Sequence, residues 1–187
     1  QLNIPKEKWV YLHGCADAHD HWFLSDRINF YSSPAMSAVA QETFHMADCT
    51  ISEIDAFDIY SCFPSAIQIA CDEMGLDIDD PRNLTVTGGL PYFGGPGNNY
   101  VTHSIAEMMN TVRSRPGIKG LVTANGNYIT KQSAGIYSTE PIEKPFSPKD
   151  PSIYQAEINS KKGPTVTEFA NGKAIIETYT IMYDRSG

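Results

Sequence analysis

A glycine-rich loop between residues 85 and 100 is the stretch of this sequence best suited to contact a ligand. Five glycines, at positions 88, 89, 94, 95 and 97, follow a short apolar run and directly precede a segment with helical periodicity. Glycine tolerates positive φ and leaves backbone N–H groups uncovered, so such a loop can bring main chain close to a carbonyl, carboxylate or phosphate. The same composition is typical of a loop that only turns tightly between packed elements, and both interpretations stay open.

Two reactive side chains lie next to predicted helix starts. Cys62 follows the predicted strand 56–60 and precedes a helix that begins at Pro64. In α/β proteins ligands favour the carboxyl ends of strands, and a helix N-terminus or a neighbouring cation stabilises a thiolate. His103 falls in the first turn of the helix after the glycine loop, where it either bonds internally or faces the same cleft. The sequence identifies no histidine partner for Cys62, so a nucleophile and a packed thiol remain alternatives.

The densest polar cluster is Asp17-Ala-His19-Asp-His21-Trp22, with His13 and Cys15 shortly before it. These residue types can ligate zinc, but a catalytic zinc site needs three well-spaced protein ligands, and no second cluster with recognisable spacing follows. The pattern therefore favours a hydrogen-bonded loop over a metal hydrolase, and we predict no metal site.

Composition narrows the classes of protein that this chain can represent. The 187 residues are 41% hydrophobic and 19% charged, which allows a buried core in one domain with an appendage. The net charge of -8 argues against nucleic acid as a partner, and no apolar run is long enough for a membrane span. The four cysteines form no Cys-x-x-Cys pair and residues 1–8 lack a signal-peptide layout, so we expect a cytoplasmic protein.

Alternating strand and helix patterns indicate a layered α/β sheet. We predict strands at 9–13, 56–60 and 120–124, with a short segment at 136–139 beside the last of them. Helices are expected after Ser33-Pro34, after Pro64 and after Asn98 or Asn99, and Thr50 to Glu53 fits a capping box.

The C-terminal quarter differs in composition. Residues 141–163 contain four prolines, all between Pro141 and Pro151, among charged residues, which is typical of a linker. Two β-rich runs, Thr165–Ala170 and Lys173–Tyr183, are joined by Asn171-Gly172, a strong hairpin signal. We therefore predict an α/β domain at 1–140, a linker at 141–163 and a β-hairpin at 164–187, which either packs on the domain or opens a further β domain.

Three segments resemble the C-terminal half of thiolases, most closely the sterol-carrier-protein-type thiolases and thiolase-like acetyl-CoA acetyltransferases. Ile54–Phe63 is similar to the strand that ends in Asn-Glu-Ala-Phe or His-Asp-Cys-Phe in that family. Gly88–Pro96 is similar to the loop that normally ends in Gly-His-Pro, and Leu121–Gly126 falls where the family has its second catalytic cysteine. The resemblance covers roughly residues 9–139.

The resemblance implies that this chain is half of a five-layered α-β-α-β-α fold. It also implies an acyltransferase activity on coenzyme A thioesters. It implies acyl-CoA as substrate or ligand, no bound cofactor, and a missing N-terminal half that carries the nucleophilic cysteine. It also implies a homodimer of the full protein.

This sequence departs from the family at the positions that matter for catalysis. Tyr60 stands where Asn or His is expected, Gly95 where the catalytic His is expected, and Ala124 or Asn125 where the acid/base Cys is expected. We assign Cys62 and His103 as candidate catalytic residues. The candidate substrate-binding residues are Tyr60, Ser61, Gly94, Gly95, Pro96, Gly97, Asn98 and Asn125. The leading hypothesis is an acyltransferase domain with altered catalysis, and the alternative is a noncatalytic module that binds acyl-CoA or lipid.

Overall fold

The computed structural model describes residues 3–186; Gln1, Leu2 and Gly187, the outermost residues of the predicted domains, lie outside them. Four strands form one mixed sheet in the order β1-β4-β3-β2. The strands are β1 (Tyr11–His19), β2 (Ala56–Asp58), β3 (Gly120–Gly126) and β4 (Lys131–Ser138). The helices are α1 (Pro34–Ala47), α2 (Pro64–Met74), α3 (Leu90–Phe93), α4 (Tyr100–Ser114) and α5 (Pro151–Ser160). The predicted α/β class, a mixed sheet flanked by helices, is confirmed.

The pairing of the strands brings the ends of all four to one region. β2 runs parallel to β3, whereas β4 is antiparallel to both β3 and β1. The carboxyl ends of β1 and β3 therefore lie beside the start of β4, at the edge that residues after β2 also reach. The predicted pairing of 136–139 beside the third strand is confirmed within a longer strand.

Helices cover both faces of the sheet. The larger core contains buried side chains of α1, α2 and α5 together with residues of every strand, among them Val39, Phe57 and Ile136. On the other face, Met108 and Val112 of α4 pack with Ala56 and Val122. The predicted start of α1 and both predicted ends of α2 are confirmed: Ser33 caps α1, Pro64 begins α2, and Gly75 ends α2 in the left-handed conformation at φ 69°.

β1 is longer than the predicted strand 9–13, and the prediction that Gly14-Cys15-Ala16 ends it is wrong. The strand continues to His19 because β4 offers backbone partners as far as Lys131, with an irregular register between Leu12 and Gly14. Glycine is needed at position 14 because an added Cβ there would overlap the carbonyl oxygen of Thr43 in α1. Asp17 and His19 consequently belong to a strand and not to a loop.

The segment predicted as a linker contains helix α5. Asp150 caps its first turn by accepting a hydrogen bond from Ser152 N at 2.9 Å, and Pro151 occupies the first helical position. Tyr154 and Ile158, one turn apart, are buried against the sheet. Four prolines precede or begin this helix, so the sequence pattern indicated a linker and its short apolar stripe was not recognised.

The predicted C-terminal hairpin is not formed in the described structure. Residues 164–186 contain no strand, although Gly172 has the positive φ of 113° that a tight turn requires. Their large apolar side chains are exposed, so the segment does not pack on the α/β domain. An isolated hairpin is marginal without a third strand or a covering helix. The boundaries at 140 and 163 stay predictions.

None of the helices between residues 3 and 186 combines the length and hydrophobicity that a membrane span needs.

Candidate functional site

A buried carboxylate at the end of β2 organises the site. Asp58 is fully buried, and its Oδ2 accepts hydrogen bonds from both the backbone N–H and the side-chain hydroxyl of Thr87, from Thr85 Oγ1 and from Val86 N, over 2.9–3.2 Å. Its Oδ1 accepts from Tyr100 Oη at 3.0 Å and Ser104 Oγ at 2.6 Å. One carboxylate therefore joins β2, the start of the glycine loop and the first turns of α4.

The residues after β2 fix the loop a second time. Ser61 Oγ accepts a hydrogen bond from Leu90 N at 2.8 Å, and Tyr60 N donates to Thr123 Oγ1 at 2.9 Å. Gly89 has φ 91°, and an added Cβ there would lie 3.2 Å from Ser61 Oγ. The main chain of the glycine loop is thus held against the end of the parallel strands.

The glycine loop itself contains the four-residue helix α3 and then passes close to α4. Gly94 and Gly97 have positive φ values of 81° and 64°, which favour glycine. Gly95 is required for a different reason, because an added Cβ would lie 2.9 Å from Tyr100 Cβ. Asn99 occupies the N-cap position of α4 but makes no side-chain capping bond, and its Oδ1 is buried without a hydrogen-bond partner among the described residues.

A cavity of about 760 Å³ lies beside this loop at the shared edge of the sheet. Gly97, Asn98 and Val101 form one side of it, and residues 124–127 and 131–133 form the strand ends. Trp22, Pro151, Ser152 and Gln155 line it from the loop after β1 and from α5. Its size falls within the range of pockets that bind small molecules.

The polar groups in the cavity include several amides, the imidazole of His19, the carboxylate of Asp17 and one cation. The side chains of Asn98, Asn125 and Asn127 line it, together with Lys131, which forms no ion pair among the residues described. Tyr60 lines it as well, and burial raises the pKa of its phenol, with Cys62 and Tyr100 nearby acting in the same direction. Tyr60 is therefore protonated at neutral pH and can donate a hydrogen bond into the cavity.

Of the predicted binding residues, Tyr60, Gly97, Asn98 and Asn125 line the cavity. Ser61 holds the glycine loop through its hydrogen bond with Leu90 N and does not line the cavity. Gly94, Gly95 and Pro96 belong to the same loop and also lie outside the cavity lining. The binding role of each residue stays a prediction.

The two candidate catalytic residues, Cys62 and His103, contact different partners. The Cys62 thiol donates a long hydrogen bond to Asn125 Oδ1 at 3.5 Å, so it borders the cavity through that amide. The exposed ring of His103 packs against Phe93, with 5.5 Å between ring centroids. None of the hydrogen bonds between described residues joins this thiol to this imidazole. Cys62 and His103 therefore do not form, between residues 3 and 186, the hydrogen-bonded pair that activates a cysteine nucleophile.

The polar cluster of the N-terminal segment is used for backbone contacts. His13 Nε2 lies 2.8 Å from the carbonyl oxygen of Glu140, and His21 Nε2 lies 2.7 Å from that of Lys161. His19 Nδ1 contacts the carbonyl oxygen of Asp20 at 3.1 Å. Between residues 3 and 186, no group of three or more His, Cys, Asp or Glu side chains is arranged to hold a metal ion.

Among the residues of the site that sequence reasoning missed are Asp58, Trp22, Lys131 and Gln155. Asp58 carried a usable signal, because an acidic residue in a short apolar strand must find several donors when it is buried. The repeated threonines at 85 and 87 are those donors. The other three come together only through strand pairing and the packing of α5, so no local pattern identifies them.

Comparison with known proteins agrees with this geometry. The chain matches the crystal structure of a monomeric SCP2-thiolase like protein type 1 from Mycobacterium smegmatis with 45% identity and a TM-score of 0.84. The match covers 91% of this chain and 38% of that protein. No protein-family model and no curated protein matches the sequence. The resemblance found in three sequence segments is confirmed at the level of the fold.

Proposed function

Because this chain has a thiolase-like fold and corresponds to part of a thiolase-like protein, we propose that it binds a coenzyme A thioester without supplying a nucleophile. The cavity at the sheet edge is the binding site in this proposal. The acyl-CoA is a ligand of this domain, and any chemistry on it requires groups from outside these residues. The chain spans 38% of the matched protein, so every statement about a complete protein is part of the proposal.

The observation that carries the proposal is the crowding at Gly95. An added Cβ at this position would lie 2.9 Å from Tyr100 Cβ, and Tyr100 is itself held by Asp58. A histidine, the residue that the thiolase resemblance leads one to expect here, therefore needs the loop or the helix to move. With glycine at this position, the loop offers backbone N–H groups to a ligand. Proton transfer requires a side chain with a suitable pKa, which Gly95 does not supply.

The remaining groups suit recognition of an amide-rich ligand. The pantetheine arm of coenzyme A contains two amides, and Asn98, Asn125 and Asn127 offer both donors and acceptors to them. The protonated phenol of Tyr60 and the uncovered backbone N–H groups of Gly97 and Asn98 can donate to the thioester oxygen. Lys131 supplies a positive charge for the phosphates.

A binding titration with mass analysis tests the proposal. The 187-residue chain is titrated with acetyl-CoA and longer acyl-CoAs by calorimetry and thermal shift, and the same samples are measured by intact mass spectrometry. We expect saturable binding, a rise in Tm with ligand concentration, and no covalent mass increase. A free fatty acid of the same chain length serves as the comparison that separates coenzyme A recognition from simple lipid binding.

Substitution of one cavity amide locates the binding. Asn125→Leu keeps the volume but removes the amide, so we expect at least tenfold weaker binding of acyl-CoA. Asn110→Ala is the control, because Asn110 is exposed on α4 outside the cavity lining and its side-chain amide bonds Glu107. Absence of any saturable binding, or equal affinity for Asn125→Leu, contradicts the proposal.

Acyl transfer by Cys62 is the second candidate, and its position next to a cavity residue favours it. In that reaction the sulfur of Cys62 attacks the thioester carbonyl, the carbon–sulfur bond to coenzyme A breaks, and the thiol proton ends on the released coenzyme A. A mass increase of one acyl group that maps to Cys62 and disappears in Cys62→Ala supports this candidate and overturns the noncatalytic proposal. If His103→Ala also abolishes this mass increase, the result supports the predicted catalytic role of His103 as well.

The partner that we propose is the rest of a thiolase-like protein. Cys15 and Asp17 of β1 and Ser133 and Gly135 of β4 face the same side of the sheet as α4, and shallow cavities run over these small residues. A further layer placed there completes the core. The homodimer and the cytoplasmic location also stay proposals. The matched protein is described as monomeric, and light scattering of the full protein decides between one copy and two.

A further inference from the structure

Trp22 is a large aromatic side chain that lines the cavity without being packed away. It lies just after β1, and 52% of its surface is exposed. The ring of His19 contacts it at 5.4 Å between centroids, with 38° between the ring planes. His19 supports one part of the indole, and the rest of the ring is free to stack with a ligand.

The platform formed by Trp22 and His19 is anchored on several sides. His19 N donates to Gln155 Oε1 at 2.9 Å, and Gln155 Nε2 donates back to His19 O at 2.8 Å. Asp20 N donates to Thr130 O at 2.8 Å. The residues that precede Trp22 are therefore fixed to α5 and to the turn before β4, which reduces the ordering entropy that a ligand must overcome.

A cation lies beside this platform. Lys131 is the direct β4 partner of His19, and cross-strand partners project from the same face of the sheet. Both residues line the cavity, and so does Asn127 in the turn between β3 and β4. Asp17, two residues before His19 on β1, also lines the cavity, so Lys131 has to outweigh one carboxylate there. An exposed indole, an ammonium group that forms no ion pair among the described residues and a side-chain amide together match a nucleobase that carries phosphate groups.

We propose that the ring of Trp22 stacks on the adenine of coenzyme A and that Lys131 faces its phosphates. This proposal rests on the proposed binding of coenzyme A thioesters and assigns the nucleotide end of the ligand to the Trp22 side of the cavity. The pantetheine arm then runs along the strand ends toward Asn125 and the glycine loop.

Fluorescence offers a direct test because the chain contains two tryptophans. Trp9, which donates its indole N–H to Ile4 O outside the cavity, is replaced in Trp9→Phe so that Trp22 is the single reporter. This variant is titrated with coenzyme A, with adenosine 3′,5′-bisphosphate and with pantetheine. We expect coenzyme A and the bisphosphate to quench Trp22 fluorescence and pantetheine to leave it unchanged.

Affinity measurements complete the test. Trp22→Ala is expected to weaken coenzyme A binding roughly tenfold to hundredfold and to leave pantetheine binding unchanged, whereas Trp22→Phe restores part of the loss. Lys131→Gln is expected to weaken coenzyme A binding and to reduce its dependence on salt. Tyr92→Ala is the matched control, since Tyr92 is 90% exposed and lies outside the cavity lining.

The outcomes separate this proposal from the one on which it rests. If coenzyme A binds but its affinity is independent of Trp22, or if pantetheine quenches as strongly as coenzyme A, the adenine assignment is overturned and thioester binding stands. If neither coenzyme A nor its acyl thioesters bind, both proposals fail.

Discussion

Removing the Asp58 carboxylate tests whether one buried group holds the site together. Asp58→Ala deprives six hydrogen bonds of their acceptor. The hydroxyls of Thr85, Thr87 and Tyr100 can re-pair, because Thr85 Oγ1 and Tyr100 Oη already lie 3.1 and 2.7 Å from Thr87 Oγ1. Thr87 N keeps a partner, because it also donates to Thr85 Oγ1 at 3.1 Å. Val86 N and Ser104 Oγ, in contrast, lose the acceptor that the structure gives them. Each unsatisfied buried donor costs about 1–3 kcal/mol, so we expect a loss of about 2–5 kcal/mol in the free energy of unfolding.

Two milder variants turn this prediction into a graded series. Asp58→Asn keeps one oxygen for the two backbone donors and can donate its amide N–H groups to Tyr100 and Ser104, so we expect a loss of about 1–2 kcal/mol. Tyr100→Phe removes a single hydroxyl donor and should cost about 1 kcal/mol. Urea unfolding followed by far-UV circular dichroism measures all three. The reasoning is refuted if Asp58→Ala unfolds within 1 kcal/mol of the wild type or if Asp58→Asn is the more damaging change.

Three further predictions concern packing, pH and thiol reactivity. Gly14→Ala should lower stability by about 1–3 kcal/mol because its Cβ meets backbone of α1, while Gly120→Ala should cost less because its Cβ meets the flexible side chain of Met108; equal losses in urea unfolding would contradict this. Hydrogen bonds from Arg82 lower the pKa of Asp80 to about 2, so this pairing stabilises the fold above about pH 4 and is lost as the pH falls toward 2. Acid titration of stability should accordingly be shallower between pH 4 and 2 in Asp80→Asn, and an unchanged slope would speak against the pairing. Burial raises the pKa of the Cys71 thiol to about 11, so Cys71 should be the last of the four cysteines to react with iodoacetamide at pH 8 in the native protein, and early labelling in a peptide map would disprove it.

Local signals identified most of the regular elements because those elements follow local rules. Ser33-Pro34 begins α1 and Gly75 ends α2, as capping and backbone preferences require. The capping box at Thr50 and Glu53 is present as well, with Thr50 N donating to Glu53 Oε2 at 2.8 Å. The order of the elements and three motif segments were enough to indicate the thiolase-like fold that the structural match supports.

Predictions failed where an element depends on a partner far away in sequence. β1 extends to His19 because β4 pairs with it, and α5 forms because Tyr154 and Ile158 find the sheet. The Asn171-Gly172 signal is strong locally, but residues 164–186 form no strand among the residues described, and the hairpin stays a prediction. A hairpin needs tertiary contacts in addition to a favourable turn.

The sequence by itself determined the starts of α1 and α2, the end of α2, the α/β class and the position of the glycine loop, because capping, periodicity and backbone freedom are encoded within a few residues. Tertiary structure decided which side chains share the cavity. Trp22, Lys131 and Gln155 are distant in the chain and meet only through strand register and helix packing. Tertiary structure also decided that the Cys62 thiol donates a hydrogen bond to Asn125 while the His103 ring packs on Phe93. Such contacts depend on distances of a few ångströms, which no spacing in the sequence specifies.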